Sequence, residues 1–266
     1  MARVFTFSNI YAEGPARGAD GPIAGAPAST LEFAVHTLGF VPDAKQRLVL
    51  ESSAKRGILN CSRQWGKSSV AAVKAVHRAV TEPEALVMVA SPTERQSAEF
   101  LRKAERFVAR MGMKPRGDGA NEHSILFPNG SRIVGLPGTE ATVRGFSAVG
   151  LLVIDEASRV ADEMYTALRP MLAASDGDLW LLSTPKGKRG FFYDVWANGG
   201  TEWEKVAVAA TECSRIKPEF LEGERSTMGA ECFEQEYLCR FMDDGSAWVG
   251  REMAEGALMD FEVLGI

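Results

Sequence analysis

Cysteine is scarce in this chain of 266 residues, and its four copies do not pair in sequence. They form no CxxC pair, so the sequence favours neither a disulfide framework nor a zinc site. This usage is typical of a protein from a reducing cytoplasm. The cysteines are Cys61, Cys213, Cys232 and Cys239.

The chain also lacks long apolar runs and an excess of positive charge. No run approaches the roughly 20 apolar residues that a membrane-spanning helix requires, and residues 1–6 do not begin a secretory signal. The formal net charge of −5 argues against a protein that coats nucleic acid over its whole surface. The net charge does not exclude a local basic track, because phosphate contacts need only a few Lys and Arg.

What the sequence does contain is an alternation of short apolar runs with helical segments. The predicted strands are 58–61, 85–90, 150–154, 179–182 and the weaker 205–209, with a hairpin of 124–127 and 132–136 around Asn129-Gly130. The predicted helices begin after Asp43, near Lys67 and after Ser91-Pro92-Thr93. This alternation predicts an α/β fold with a mainly parallel central sheet flanked by helices.

A phosphate-loop pattern lies between the first strand and its helix. The segment reads Cys61-Ser62-Arg63-Gln64-Trp65-Gly66-Lys67-Ser68. In such a loop the backbone amides and the helix N-terminus bind phosphate, the lysine reaches the terminal phosphates, and the hydroxyl is a ligand for Mg²⁺. Cys61 replaces the first glycine of the pattern, so the segment alone also fits an ordinary strand-to-helix turn.

A second motif favours the phosphate loop over that turn. Four apolar residues, 151–154, are followed directly by Asp155 and Glu156. A buried strand would deliver both carboxylates to the sheet edge beside the loop, where Asp155 can hold Mg²⁺ and Glu156 can act as general base. The alternative is a solvated acid pair that caps the next helix. Together the two motifs predict a site that hydrolyses ATP.

The motifs and their order resemble one family, the large terminase subunits of bacteriophages. Residues 62–68 resemble the Walker A variant of that family, and residues 154–157 are similar to its Walker B segment. Ser183-Thr184-Pro185 resembles its coupling motif, and residues 233–241 resemble the helix of its ATPase lid. The resemblance runs from about Pro42 to Phe241.

The resemblance implies a RecA-like ATPase of the ASCE class and a role for each motif. Lys67 and Ser68 would bind phosphate and Mg²⁺, Asp155 would bind Mg²⁺, and Glu156 would be the catalytic base. The residues that would contact ATP are Gln46, Ser62, Arg63, Gln64, Trp65, Gly66, Lys67 and Ser68. Ser183, Thr184 and Pro185 would couple loss of the γ-phosphate to movement, although a plain Ser-Thr-Pro turn also fits.

Three further assignments rest on the resemblance. Gln46 would contact adenine, since an amide can pair with the base, although an exposed helical glutamine also fits. Arg144 would be an arginine finger that acts on a neighbouring subunit, and Arg63 would act within its own subunit. A surface arginine is the plain alternative for Arg144.

A cluster of basic residues lies on the predicted helix after Thr93 and just beyond it. Its members are Arg102, Lys103, Arg106, Arg110, Lys114 and Arg116. They fit a phosphate-gripping surface, a contact with a neighbouring subunit, or simply a solvated helix face.

The resemblance also implies a division of the chain and a set of partners. Composition, not the resemblance, predicts that the Gly/Ala/Pro-rich residues 1–30 form a poorly ordered arm. The resemblance divides the rest into the ATPase core at 31–212, a small helical lid at 213–245 and a linker at 246–266. The residues after Phe241 are too few for the nuclease domain that usually follows, so nuclease activity is not expected in this chain. The implied partners are double-stranded DNA, portal protein, the small terminase subunit and copies of the chain in a ring, a pentamer in the family. The implied location is the host cytoplasm, transiently at the procapsid portal, with no membrane.

Two other functions fit some of the same motifs. A helicase or other nucleic-acid translocase would use the same Lys67, Asp155 and Ser183, but it needs a second RecA-like domain that 266 residues cannot hold. A non-hydrolysing assembly subunit would tolerate Cys61 in a degenerate loop. The presence of both Lys67 and Glu156 counts against that second alternative.

Overall fold

The structure is a computed structural model that describes residues 23, 27, 29–136 and 145–243. The strands within these residues are β1 (Arg56–Cys61), β2 (Leu86–Ala90), β3 (Ser124–Leu126), β4 (Arg132–Gly135), β5 (Val149–Asp155), β6 (Asp178–Ser183) and β7 (Glu204–Val208). They form one seven-stranded sheet in the order β3-β4-β2-β5-β6-β1-β7. The pairs are parallel except for the antiparallel hairpin of β3 and β4, which Asn129-Gly130 connects.

Helices cover the sheet as the alternating pattern predicts. They are α1 (Thr30–Glu32), which continues as a π-helix over Phe33–Thr37, α2 (Ala44–Glu51), α3 (Lys67–Thr81), α4 (Glu94–Arg110), α5 (Asp162–Leu168), α6 (Gly190–Asn198), α7 (Pro218–Thr227) and α8 (Ala230–Glu236). The predicted start of α2 is confirmed, since Asp43 caps it and Gln46 completes a capping box. None of the described helices has the length and apolar character to cross a bilayer.

The sheet is buried on both faces, which explains its unbroken apolar strands. One core contains Val73 of α3 and Phe100 of α4. The other contains Met164 of α5 and Phe192 of α6. Successive strand residues alternate between the two cores, as Leu152 and Val153 of β5 do. The predicted α/β sandwich is therefore confirmed.

The order of the central strands positions the two predicted motifs. β6 lies between β1 and β5, with Asn60 opposite Ser183 on one side and Asp155 opposite Leu182 on the other. The carboxyl ends of all three strands consequently meet at one edge. Ligands of open α/β sheets bind at this edge.

The helical region after Lys217 consists of two helices and an extended end. α7 and α8 are separated at Gly229, and Leu221 and Phe233 form a small core with Ala210. α8 ends at Glu236, although the resemblance predicted a helix over residues 233–241. The chain turns back at this point because Cys239 has a left-handed φ of 60°, and its carbonyl accepts a 2.9 Å hydrogen bond from Asn60 Nδ2 of β1.

The absence of a side chain at Gly57 lets Trp180 pack across β1. A Cβ atom at Gly57 would lie 2.4 Å from the Trp180 ring. We expect Gly57→Ala to lower the free energy of unfolding by about 1–3 kcal/mol, because the ring must move within a packed core. Urea denaturation measures this change. Gly223→Ala is the matched control, since nothing lies within 4 Å of its Cβ position in α7. A loss of stability in the control equal to that at Gly57 would contradict the packing explanation.

Candidate active site

The phosphate loop connects β1 to α3 and is shaped by two left-handed residues. Gln64 has a φ of 65°, and Gly66, which precedes the first turn of α3, has a φ of 99°. Trp65 between them is 1% exposed and anchors the loop in the core. The loop lines a cavity of about 480 Å³ at the N-terminus of α3, where backbone amides and the helix dipole attract anions.

The missing first glycine has a structural explanation. Cys61 is the last residue of β1, is fully buried, and has no left-handed φ. The strand geometry continues one residue further, since Ser62 N donates a 2.9 Å hydrogen bond to Val208 O of β7. The loop turns only at Gln64 and Gly66, so position 61 does not need the backbone freedom of glycine.

The predicted acid pair lies beside this loop. Lys67 Nζ is 3.5 Å from Glu156 Oε1, and both side chains are largely buried. Burial, followed by the charge of Glu156, raises the pKa of Asp155, while Lys67 and Ser68 oppose the rise. Glu156 has a left-handed φ of 53°, an unfavourable conformation for a residue with a side chain and one that clusters at functional sites. The structure thus brings Lys67, Ser68, Asp155 and Glu156 together.

The predicted coupling residues lie on the same edge. Ser183 ends β6, and both Ser183 and Thr184 are at most 1% exposed. The Ser158 hydroxyl lies 2.8 Å from that of Ser183 and donates a 2.8 Å hydrogen bond to Thr184 O. Pro185 is also buried. The segment after the acid pair and the predicted coupling segment are therefore directly bonded.

Gln46 contacts the phosphate loop, but its amide already has partners in the protein. Its Oε1 accepts a 3.1 Å hydrogen bond from Asp43 N, and its Nε2 donates a 2.8 Å hydrogen bond to Trp65 O. The residue is 1% exposed. Contact with adenine stays a prediction, and it would require the amide to exchange these bonds.

Of the two arginines predicted to act in catalysis, Arg63 and Arg144, the structure describes the first. Arg63 Nε donates a 2.6 Å hydrogen bond to Glu236 Oε2 of α8, and this contact raises the pKa of the guanidinium. Arg144 lies outside the described residues. The predicted linker at 246–266 and nearly all of the predicted arm at 1–30 lie outside them as well.

Three residues of the site, Lys103, Arg215 and Arg159, carry no recognisable motif. Lys103 of α4 and Arg215 line the same cavity as Lys67. Arg215 also donates a hydrogen bond to Trp65 O. Arg159 contacts Glu156, Thr184 and Glu236. Of these, Lys103 belongs to the predicted basic cluster, whereas its neighbour Arg102 pairs with Glu99 on the surface.

The donor types at the sheet edge fit a hard divalent cation. Asp155 offers carboxylate oxygens, and Ser68 offers a hydroxyl oxygen on the adjoining helix turn. Mg²⁺ prefers such oxygen ligands and commonly binds through one or two carboxylates together with substrate phosphates. The chemistry of these residues is therefore consistent with the predicted magnesium ligands.

Comparison with known proteins decides the family. Residues 58–254 match the family described as "Terminase large subunit, T4likevirus-type, N-terminal". The chain belongs to the large terminase family. Its match to the terminase large subunit of Thermus virus P23-45 is 26% identical over 202 residues. It covers 69% of this chain and 41% of that relative, so the chain spans about two fifths of the relative's length.

Solved structures show the same fold. The large terminase ATPase domain of Thermus phage P74-26 aligns with a TM-score of 0.67 and 23% identity, covering 78% of this chain and 97% of that chain. The large terminase of a thermophilic bacteriophage, in complex with ADP, aligns with a TM-score of 0.63 and 14% identity over 75% of this chain and 53% of that one. The predicted RecA-like fold of this terminase chain is confirmed.

The buried position of Gln46 generates a stability prediction. We expect Gln46→Ala to lower the free energy of unfolding without nucleotide by about 1–3 kcal/mol, because Asp43 N loses its side-chain partner and Trp65 O loses one of its two donors. Thermal or urea denaturation measures the loss. Gln96→Ala is the matched control, since Gln96 has the same third position in α4 and, among the described residues, bonds only to its cap Thr93. Equal small losses in both variants would show that Gln46 is free for another role.

Proposed function

We propose that this chain is the ATP-hydrolysing motor domain of a large terminase, which drives double-stranded viral DNA into a procapsid. The observation that carries the proposal is the approach of Lys67 Nζ to 3.5 Å from Glu156 Oε1 beside the phosphate loop. A cation for phosphate and a carboxylate for water thus lie within one cavity. Membership of the terminase family and the ADP complex of a structural relative support it.

The phosphate loop would bind the triphosphate. The backbone amides of residues 63–68, at the N-terminus of α3, would donate hydrogen bonds to the phosphate oxygens, and Lys67 would neutralise the terminal charge. Arg63 would leave Glu236 to contact phosphate, and it would thereby add a second positive charge from the same subunit to the site. Lys103 lines the same cavity and offers a third positive charge.

Glu156 would orient and deprotonate the attacking water. When a triphosphate draws Lys67 away, the Glu156 carboxylate loses a cationic partner and can accept a proton. Asp155 and Ser68 would hold Mg²⁺. The ion would neutralise charge on the transferred phosphoryl group. Ser183 and Thr184, one strand away from Asp155, would report loss of that group to the rest of the domain.

The proposed partners of the motor are inferred from membership of the family, not from a surface of this chain. Double-stranded DNA, portal protein, the small terminase subunit and a homo-oligomeric ring, a pentamer in the family, would complete the machine in the host cytoplasm at the procapsid portal. Arg144 would then complete the site of a neighbouring subunit. The exposed Lys186, two residues beyond Thr184, is a candidate for passing the nucleotide state to DNA.

Removal of the proposed base tests hydrolysis. We expect Glu156→Gln to lower the rate of phosphate release by at least about 100-fold, because the amide cannot accept the proton from water. Binding of a fluorescent ADP analogue should persist, since the phosphate loop is unchanged. Glu163→Gln, a surface carboxylate on α5, is the control and should retain the rate of the wild type. Equal background release from wild type and Glu156→Gln would instead support a non-hydrolysing assembly subunit.

Dilution tests the proposed finger in trans. Phosphate release per subunit should rise with protein concentration, because Arg144 reaches the site only in an assembled ring. We expect Arg144→Ala to abolish this rise and to lower the plateau rate by about 1,000-fold, in the range for a lost arginine finger. A rate per subunit that stays constant on dilution, and is lost in Arg144→Ala, would assign the arginine to its own subunit.

A further inference from the structure

One guanidinium joins three parts of the site that are far apart in sequence. Arg159 Nη1 lies 3.3 Å from Glu156 Oε2 and donates a 3.1 Å hydrogen bond to Thr184 Oγ1. Its Nη2 donates a 3.1 Å hydrogen bond to Glu236 Oε1 of α8. We propose that Arg159 is a positioning residue that ties the base Glu156 to the lid helix α8. The inference rests on the proposed hydrolysis.

Arg159 is the centre of a chain of alternating charges. The sequence of contacts runs from Lys67 to Glu156 at 3.5 Å, from Glu156 to Arg159 at 3.3 Å, from Arg159 to Glu236 at 3.1 Å, and from Glu236 to Arg63 at 2.6 Å. Both ends of the chain are phosphate-loop residues. Glu236 of the lid is therefore connected to the loop in two ways. It contacts Arg63 directly, and it reaches Lys67 through Arg159 and the base Glu156.

The central members of this chain are shielded from solvent. The side chains of Arg159, Glu156 and Glu236 are 24%, 26% and 15% exposed. Burial alone would raise the pKa of Glu236, but the hydrogen bond and charge of Arg63, together with Arg159, hold it below its usual value. Partly buried pairs are screened by salt less than surface pairs, so these contacts can orient their members.

A triphosphate would act on the two ends of the chain and leave its centre in place. Phosphate oxygens compete with Glu156 for Lys67 and with Glu236 for Arg63. Arg159 then becomes the shared counter-ion of both carboxylates. The base and α8 would consequently keep a fixed relation when the loop binds its ligand, and a displacement of α8 would pull the guanidinium away from Glu156.

The geometry requires arginine rather than any cation. The two terminal nitrogen atoms of the planar guanidinium bind different partners. Nη1 contacts Glu156 and Thr184, and Nη2 contacts Glu236. The ammonium of lysine is a point charge without this fork and cannot hold three partners in one plane. Arg159→Lys should therefore fail to restore the function that Arg159→Gln removes.

Steady-state kinetics test the role at the base. We expect Arg159→Gln and Arg159→Lys to lower kcat for ATP about 10- to 100-fold while KM changes less than threefold, because phosphate binding is intact and Glu156 is misplaced. The double variant with Glu236→Gln should lose no more than about twofold beyond Arg159→Gln, because with ATP bound Arg63 contacts phosphate and Glu236 acts through Arg159. Arg240→Gln, which removes the ion pair between Arg240, just beyond the end of α8, and Glu234 of α8, is the matched control and should keep both constants.

Hydrogen exchange of the α8 amides tests the lid tie without turnover. With ADP and beryllium fluoride bound, exchange of residues 230–236 should be at least about tenfold faster in Arg159→Gln than in wild type or Arg240→Gln. Unchanged kcat in Arg159→Gln, full rescue by lysine, or unchanged α8 exchange would overturn the inference. Wild-type phosphate release no faster than that of Glu156→Gln would overturn the hydrolysis itself, and the α8 exchange would still decide whether Arg159 holds the lid.

Discussion

The site depends on the register of three parallel strands. β6 pairs with β1 through Asn60 and Ser183 and with β5 through Asp155 and Leu182, so the three strands end at the same level. Each strand end carries a different element of the site, namely the phosphate loop, the acid pair and the Ser183 segment. A shift of one residue in either pairing would exchange the faces of the side chains and separate these elements.

Electrostatics then organises what the register brings together. Asp155 is buried at the sheet edge, and its neighbours Lys67 and Ser68 offset part of the cost of keeping a carboxylate there. Beyond this centre, Arg159 and Glu236 extend the charges to α8. The lid contacts the catalytic edge through these ionic groups and also packs Phe241 against Phe192 of α6, while its own core with Ala210, Leu221 and Phe233 is small.

The fold was largely predictable because its elements have strong local signals. The apolar run before Asp155, the Asn129-Gly130 turn and the Asp43 cap each have a local physical cause, and the structure confirms all three. The insertion of β6 between β1 and β5 has no such local signal, because strand order is decided by contacts between distant segments. The end of α8 at Glu236 was missed for the same reason, since Cys239 turns to meet Asn60 of β1.

The motif residues of the site were also predictable, whereas the side chains that connect them were not. Lys67 and Glu156 belong to patterns with fixed spacing, and the structure brings them together. Arg159 was overlooked because its partners, Thr184 and Glu236, lie 25 and 77 residues away in sequence. The positions of Lys103 and Arg215 likewise depend on how α4 and the segment before α7 fold over the loop.

The carbonyl of Trp65 has two donors, Gln46 Nε2 from α2 and the guanidinium of Arg215. A planar trans peptide points its N–H away from its C=O, so two bonds on this oxygen also aim the amide hydrogen of Gly66. Gln46 belongs to the capped helix α2, and Arg215 belongs to the short segment that precedes α7. A shift of the segment before α7 would therefore rotate the Trp65–Gly66 peptide plane. The direction in which the Gly66 N–H can bind an anion would change with it.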